Sequence, residues 1–349
     1  MRNRSPRLAA AAGIVLACFA LTACAPSDSG SATGTLIVYT NSNSDGRGEW
    51  ITAQAAEAGI DIEIVGLGGA DLANRIVAEK NNPVGDVVFG LNDMYFETLR
   101  AEEAISDYTP AWSDSVDASD SSDGAYWPLV EQAIVMVYDT NSISAADVPA
   151  DVTDLWADDS FTGRYEVNTA LGQATPQLVL AGLLARYEDE NGDLGVSDEG
   201  WDAVAAYFEH GSPATEGTDL YSRLTRDEVD YGTIASSGIV SRDGEYGTST
   251  GIIVPSDGVP YVTEQIAVVN GTSKQAAAEE FIDWFGGADV QGAFAQEFSA
   301  YPVNDDAKSQ ALPEVTAMID ALPKQEIDWA FTREHIGQWV EKAELEYVQ

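Results

Sequence analysis

The sequence predicts an α/β protein of two lobes with a ligand cleft between them, and three observations predict it. Short apolar, β-branched runs alternate with helix-period segments through the first half. A second set with the same alternation follows between residues 140 and 262. Two longer apolar stretches, 130–138 and 265–270, stand where the chain changes from one set to the other. Repeated βαβ units build a parallel sheet with helices on both faces.

In chain order, 36–39 (LIVY) reads as a short buried strand, 49–58 as a helix, 60–65 as a strand, 71–80 as a helix, 87–89 (VVF) as a strand and 94–103 as a helix. Ligands bind such sheets outside the carboxyl ends of the strands, near a topological switch. Thr40 to Asp45 and Gly90 to Asp93 therefore share a rim. The run 130–138 (VEQAIVMVY) ends in the turn Asp139-Thr140-Asn141, and 265–270 (QIAVVN) is placed antiparallel to it. Between them lie a strand at 165–168, an amphipathic helix at 176–187, further helices at 199–209 and 219–225, and strands at 231–235 and 252–254. The tail is helical at 274–285, 290–298 and 333–347, with apolar residues three or four apart. Trp284, Trp329 and Trp339 read as packing anchors of these helices. The lobes are then 35–139 with 263–349, and 140–262.

The N-terminus has Arg2, Arg4 and Arg7, an apolar run over 8–21, and small residues leading to Cys24, the pattern of a secretory signal. The run is shorter than the ~20 residues a spanning helix needs. Leu21-Thr22-Ala23-Cys24 resembles the bacterial lipobox, which implies cleavage after 23 and a lipidated Cys24; the competing reading is an ordinary cut near Ala25. Residues 24–34 are composed like a flexible leash. Removal of 1–23 also removes Cys18, so Cys24 has no partner for a disulfide. A body of roughly 310 residues is large enough to be stable on its core alone. The expected location is extracytoplasmic, tethered through Cys24.

The chain holds 17 Lys and Arg against 58 Asp and Glu, for a formal net charge of −41. Such a surface repels nucleic acid. The acids are spread in small groups through loops and helix faces, a pattern that serves solubility, with attraction of a cationic ligand as the weaker alternative. A charged fraction of 21% and an apolar fraction of 45% describe a globular chain.

The leader and the segments LIVYTNSN, EKNNPVGDVVFG, VMVYDTN, FTGRYEV, GVPYVTEQIAVVNGTSKQAAAEEFIDWF and YPVN together resemble the extracellular solute-binding proteins of ABC importers. The particular likeness is to the group of ferric-iron, phosphonate and sugar-phosphate binders. The resemblance runs from 35 to about 305. It implies a periplasmic-binding-protein-like fold of type II, with two lobes joined by two crossover strands. It further implies a monomer without a cofactor that closes on a solute and delivers it to a membrane permease driven by an ATPase. A hinged clamp closes only by the ligand's greater affinity for the closed form.

Several motifs point elsewhere and fail. Gly247 to Gly251 matches G-x-S-x-G, but a strand follows the serine where the hydrolase elbow needs a helix, and His210 and His335 are the only histidines. An extracellular hydrolase is thus the alternative from another class. Gly66-Leu67-Gly68-Gly69 opens like a dinucleotide loop, but Asp71 stands where the third glycine belongs. It reads instead as a tight turn at the cleft mouth, with Gly69 offering an amide. Asp189 to Gly200 starts like a calcium loop, but Leu194 and Gly200 occupy the glycine and glutamate positions; a solvated turn between helices is expected.

Ferric binders of the resembled group hold iron with adjacent tyrosines after a strand of the second lobe, and phenolate suits a hard cation. Here that place reads Ser236-Ser237-Gly238, and no tyrosine pair occurs in the chain. Serines and a glycine leading into a helix suit an oxyanion. A second cradle is expected at Asn168 to Thr175, with Thr169, Gln173 and Thr175 before or at a helix start. A third comes from Thr40, Asn41, Ser42 and Asn43 after the first strand, with Asn92 beside them. Arg47 or Arg242 supplies neutralising charge. Helix capping explains any one of these groups alone; their convergence on one cleft carries the functional reading. The expected solute bears phosphonate, phosphate ester or carboxylate, with ferric iron as the alternative and no metal ligand assigned.

Overall fold

The computed structural model describes residues 34–117 and 124–348; Cys24 and nearly all of the leash lie outside the described residues. β1 (Leu36–Thr40), α1 (Arg47–Glu57), β2 (Ile62–Gly66), α2 (Gly69–Glu79), β3 (Val87–Phe89) and α3 (Asp93–Ala101) alternate as the pattern predicts. The three strands are parallel, with β1 in the centre. Alternate residues go to opposite faces of a strand, and both faces of this sheet are covered. Val38, Val87 and Phe89 pack with Phe281 and Phe285 on one side. Tyr39 and Val88 pack with Leu72 and Phe96 on the other.

β4 (Ile105–Ser106) and the long β5 (Trp127–Asp139) come next, followed by α4 (Asp154–Ala157), β6 (Glu166–Val167), α5 (Ala174–Leu184), β7 (Glu188–Asp193), α6 (Asp198–His210), β8 (Ser212–Pro213), α7 (Leu220–Leu224), β9 (Gly232–Ala235), α8 (Ile239–Tyr246) and β10 (Thr250–Ile253). β11 (Tyr261–Val269) returns to the first sheet, antiparallel to β3 and to β5. The tail holds α9 (Gln275–Phe285), α10 (Ala288–Phe298), β12 (Tyr301–Pro302), α11 (Asp305–Lys308), α12 (Pro313–Ala321) and α13 (Trp329–Glu346).

β5 joins the two halves by changing partners along its length. Its residues up to Ala133 pair with β11 and β12, whereas Ile134 to Asp139 pair with β9 and β10. Beyond that switch, Met136 and Tyr138 enter a core with Tyr165, Leu184 and Trp201. Val135 and Val137 enter another with Tyr221 and Ile239. One strand thus contributes to the cores of both halves.

The structure departs from the sequence reading at α5 and after Tyr187. α5 is not amphipathic: eight of its eleven residues are buried, because α6 packs on it and α13 covers it as well. α13 buries Trp339 and Ala343 among Leu155, Val196 and Trp201, so the C-terminal helix shares a core with segment 140–262, and it also packs on α3 of segment 35–139. The stretch after Tyr187 forms β7, bridged to Val196, rather than a turn between helices. Ser249 follows α8, whose left-handed cap is Gly247, and precedes β10, in agreement with the strand expected there; a hydrolase elbow needs the reverse order.

Candidate ligand cleft

A cleft of about 480 Å³ opens where the chain leaves β1, β3, β6 and β9. Asn41 and Ser42 come from the segment after β1, Gly90 and Asn92 from after β3, Asn168 from after β6, and Ser237 and Gly238 from after β9. Gln132 and Ile134 of β5 and Val262 and Glu264 of β11 also line it. Strand ends meeting at a change of sheet direction are where α/β folds place ligands.

The structure sorts the residues expected from sequence. Asn41, Ser42, Asn92, Gln173, Thr175, Ser237 and Gly238 line the cleft, together with Arg47 and Arg242. Thr40, Asn43, Gly69, Thr169 and Ser236 are not among the lining residues, and local geometry explains most of these. Thr40 is fully buried and its Oγ1 accepts the Ser42 N–H at 2.9 Å, which shapes the loop from beneath. Ser236 is buried and its Oγ accepts the Ala133 N–H at 3.1 Å. The Asn43 side chain lies over Gly66, where a Cβ would come within 2.2 Å of it. At Gly69 a Cβ would meet the Tyr95 ring at 2.9 Å, so this glycine permits contact between α2 and α3. Asn92 caps α3, accepting the Tyr95 N–H at 3.4 Å. Sequence reasoning missed Gln132 and Glu264. The available signal was a Glu-Gln pair interrupting each apolar crossing run, Glu131-Gln132 and Glu264-Gln265.

Three helices begin at this cleft with no side-chain cap, α1 after Gly46, α5 after Gln173 and α8 after Gly238. The first N–H groups of a helix lack intrahelical acceptors and carry partial positive charge; in α1 those of Arg47 and Gly48 donate to the carbonyls of Ser44 and Asn43, and in α8 that of Ile239 donates to Ser236. Arg47 adds a full charge at the start of α1. Its guanidinium donates to Ser42 Oγ at 3.1 Å and to Ser237 Oγ at 3.0 Å, the latter 190 positions away in sequence. It lies 6.0 and 5.8 Å from the ring centres of Phe294 and Phe298. Its Nε is buried and has no hydrogen-bond partner, and the same holds for Asn41 Oδ1. Among the described residues, every other Lys and Arg has a carboxylate within 4.0 Å; Arg242, for example, is held by Asp219 at 2.9 Å.

A polar chain continues beneath Arg47. Ser237 donates to Gln132 Oε1 at 2.6 Å, and Gln132 Nε2 donates to the Glu264 carboxylate. Burial raises the Glu264 carboxyl above its ordinary 4.5, while the Arg47 charge and hydrogen bonds from Ser42 and Gln132 pull it back. The β5–β11 register shifts between Glu264 and Gln265, and bulges of this kind re-aim side chains. Gln265 turns to Asp93 at 2.6 Å. Neither tyrosine nor histidine is among the residues lining the cleft.

Residues 49–323 match the model of the bacterial extracellular solute-binding proteins. The chain belongs to that family. It is accordingly a solute-binding transport protein, not an enzyme. This solute-binding protein is 31% identical over 316 residues to the probable ABC transporter periplasmic-binding protein y4fP of Sinorhizobium fredii, covering 90% of the chain and 87% of the relative. Iron-bound HitA from Pseudomonas aeruginosa superposes with a TM-score of 0.75 at 18% identity, over 88% of this chain and 99% of HitA. AfuA from Actinobacillus pleuropneumoniae, solved with fructose-6-phosphate, gives 0.73 at 15% identity, over 90% and 99%. The solute-binding protein thus shares one periplasmic-binding fold with carriers of different solutes, and its own cleft must choose between them.

Proposed function

We propose that this substrate-binding component of an ABC importer captures a small organic solute bearing an oxyanion, of the phosphonate, phosphate ester or carboxylate class, and passes it to a membrane permease. The observation that carries the reading is Arg47, a cation with no carboxylate within 4.0 Å in a chain of net charge −41. α5 starts at the same cleft without a side-chain cap, and such starts bind anions. A volume of about 480 Å³ suits a molecule larger than an inorganic ion, since organic-ligand pockets run from ~300 to ~1,000 Å³. The AfuA likeness, with its sugar phosphate, favours the same class. The HitA likeness motivates the ferric alternative, but a cleft without tyrosine or histidine supplies no phenolate or imidazole to the metal. The protein works at the outer face of the membrane, cleaved after residue 23 and held by lipid on Cys24. One acyl chain anchors marginally and two anchor stably.

The test is a thermal-shift and calorimetry panel on the chain from residue 25, offering sugar phosphates, phosphonates, carboxylates and ferric citrate. An oxyanion-bearing compound should raise the melting temperature. Arg47→Ala should weaken that binding about 30- to 1,000-fold, the result of removing one partner of a buried charge pair at about 2–4 kcal/mol. Stabilisation by ferric citrate alone, or binding indifferent to Arg47, overturns the reading. Cys24→Ala should release the protein from membranes; retention there overturns the anchor.

A further inference from the structure

We propose that Glu264 makes the cleft select oxyanions that carry a proton: phosphoryl and phosphonyl groups with an O–H are accepted, and sulfate and sulfonate groups are rejected. The inference rests on the oxyanion reading and narrows it. Glu264 lines the same cavity as Arg47, on β11, and is only 8% exposed. An ionised carboxylate can only accept hydrogen bonds, with about four lone-pair positions. Gln132 Nε2 and the Ser42 hydroxyl occupy part of that capacity.

An anion on Arg47 therefore meets a second, buried anion that depends on the same guanidinium. The other charged groups do not relieve this. Arg242 on α8 is committed to Asp219. Glu131, on the neighbouring strand, is paired with Lys324. Asp45 before α1 and Glu297 on α10 add further negative charge at exposed positions of the lining. Two carboxylate-like oxygens sharing a site hold one proton between them, because like charges disfavour the second ionisation. Either the solute brings that proton or Glu264 must take it up, and burial already raises the Glu264 carboxyl. A phosphate monoester loses its second proton only near pH ~6, so a fraction retains an O–H at neutral pH; sulfate esters and sulfonates carry none there.

The experiment is calorimetry near neutral pH on the chain from residue 25 with two matched probe pairs, glucose 6-phosphate against glucose 6-sulfate and phenylphosphonate against benzenesulfonate. In the wild type the phosphorus member of a pair should bind at least tenfold tighter. Glu264→Gln, which offers an amide N–H in place of a lone pair, should shrink the gap below threefold, whereas Glu264→Asp keeps the carboxylate and should keep the preference. Lowering the pH toward 5 should strengthen sulfur-probe binding in the wild type and not in Glu264→Gln. Equal binding of both members by the wild type, or an undiminished gap in Glu264→Gln, overturns the inference while the oxyanion reading stands. Silence from all four probes, with another class of compound binding instead, overturns both.

Discussion

Arg47 is oriented by neutral partners, Ser42 and Ser237, and by the rings of Phe294 and Phe298. Neutral partners hold the guanidinium without cancelling its charge, so the charge stays available to an anion. Replacement by Lys keeps the charge and loses the planar fork; Arg47→Lys should therefore bind more weakly than wild type and more tightly than Arg47→Ala in the same titration. Glu264 affects stability as well as binding. Its folded pKa lies above the ordinary 4.5, so between those two values the native state holds more protons than the unfolded chain, and stability falls as pH rises through that window. The contribution is complete below 4.5 and lost above the folded value. The difference in melting temperature between wild type and Glu264→Gln should accordingly shift against the wild type as pH is raised from 4.5; a pH-independent difference would exclude the linkage.

At the scale of elements, the cleft depends on backbone geometry that only glycine allows at one point. Gly90 has φ +92°, and a Cβ there would lie 2.8 Å from both Asn41 Oδ1 and Ser42 Cβ. Gly90→Ala should cost about 1–3 kcal/mol of stability, since a strained backbone adds to the clash, and should weaken solute binding by displacing the loop after β1. Gly69→Ala is the control: its Cβ meets Tyr95 between α2 and α3, so stability should fall with affinity unchanged. Comparing denaturation midpoints and dissociation constants separates the two. α13 closes the core around α5, with Trp339 fully buried; Trp339→Ala should cost about 3–5 kcal/mol, as large aromatic truncations do, read from urea unfolding. The parallel strands and their helices were legible because the short apolar runs and their helical spacers are local. The packing of α13 was not legible, because its core partners lie some 140 to 185 residues away in sequence and no local pattern reports them.

For the whole molecule, the hydrogen bond from Arg47 to Ser237 ties residues of the two halves across the cleft, above the strands that join them. A closed form is populated to the extent that such contacts favour it. Ser237→Ala removes the tie; the solute-free protein should expand measurably by small-angle scattering and contract again on binding, while an unchanged profile would show that the contact does not bear on closure. The alternation of βαβ units and the apolar crossing runs determined the fold class from sequence alone, because burial periodicity is written in neighbouring residues. The rim loops followed from it, since strand ends are where such sheets bind ligands. Tertiary structure decided which polar side chains face the cleft and which, like Thr40 and Ser236, turn beneath it to satisfy backbone N–H groups. It also decided that Arg47 is left unpaired above a buried Glu264. Side-chain direction and charge pairing depend on groups brought together from distant parts of the chain, and the sequence records those groups without their distances.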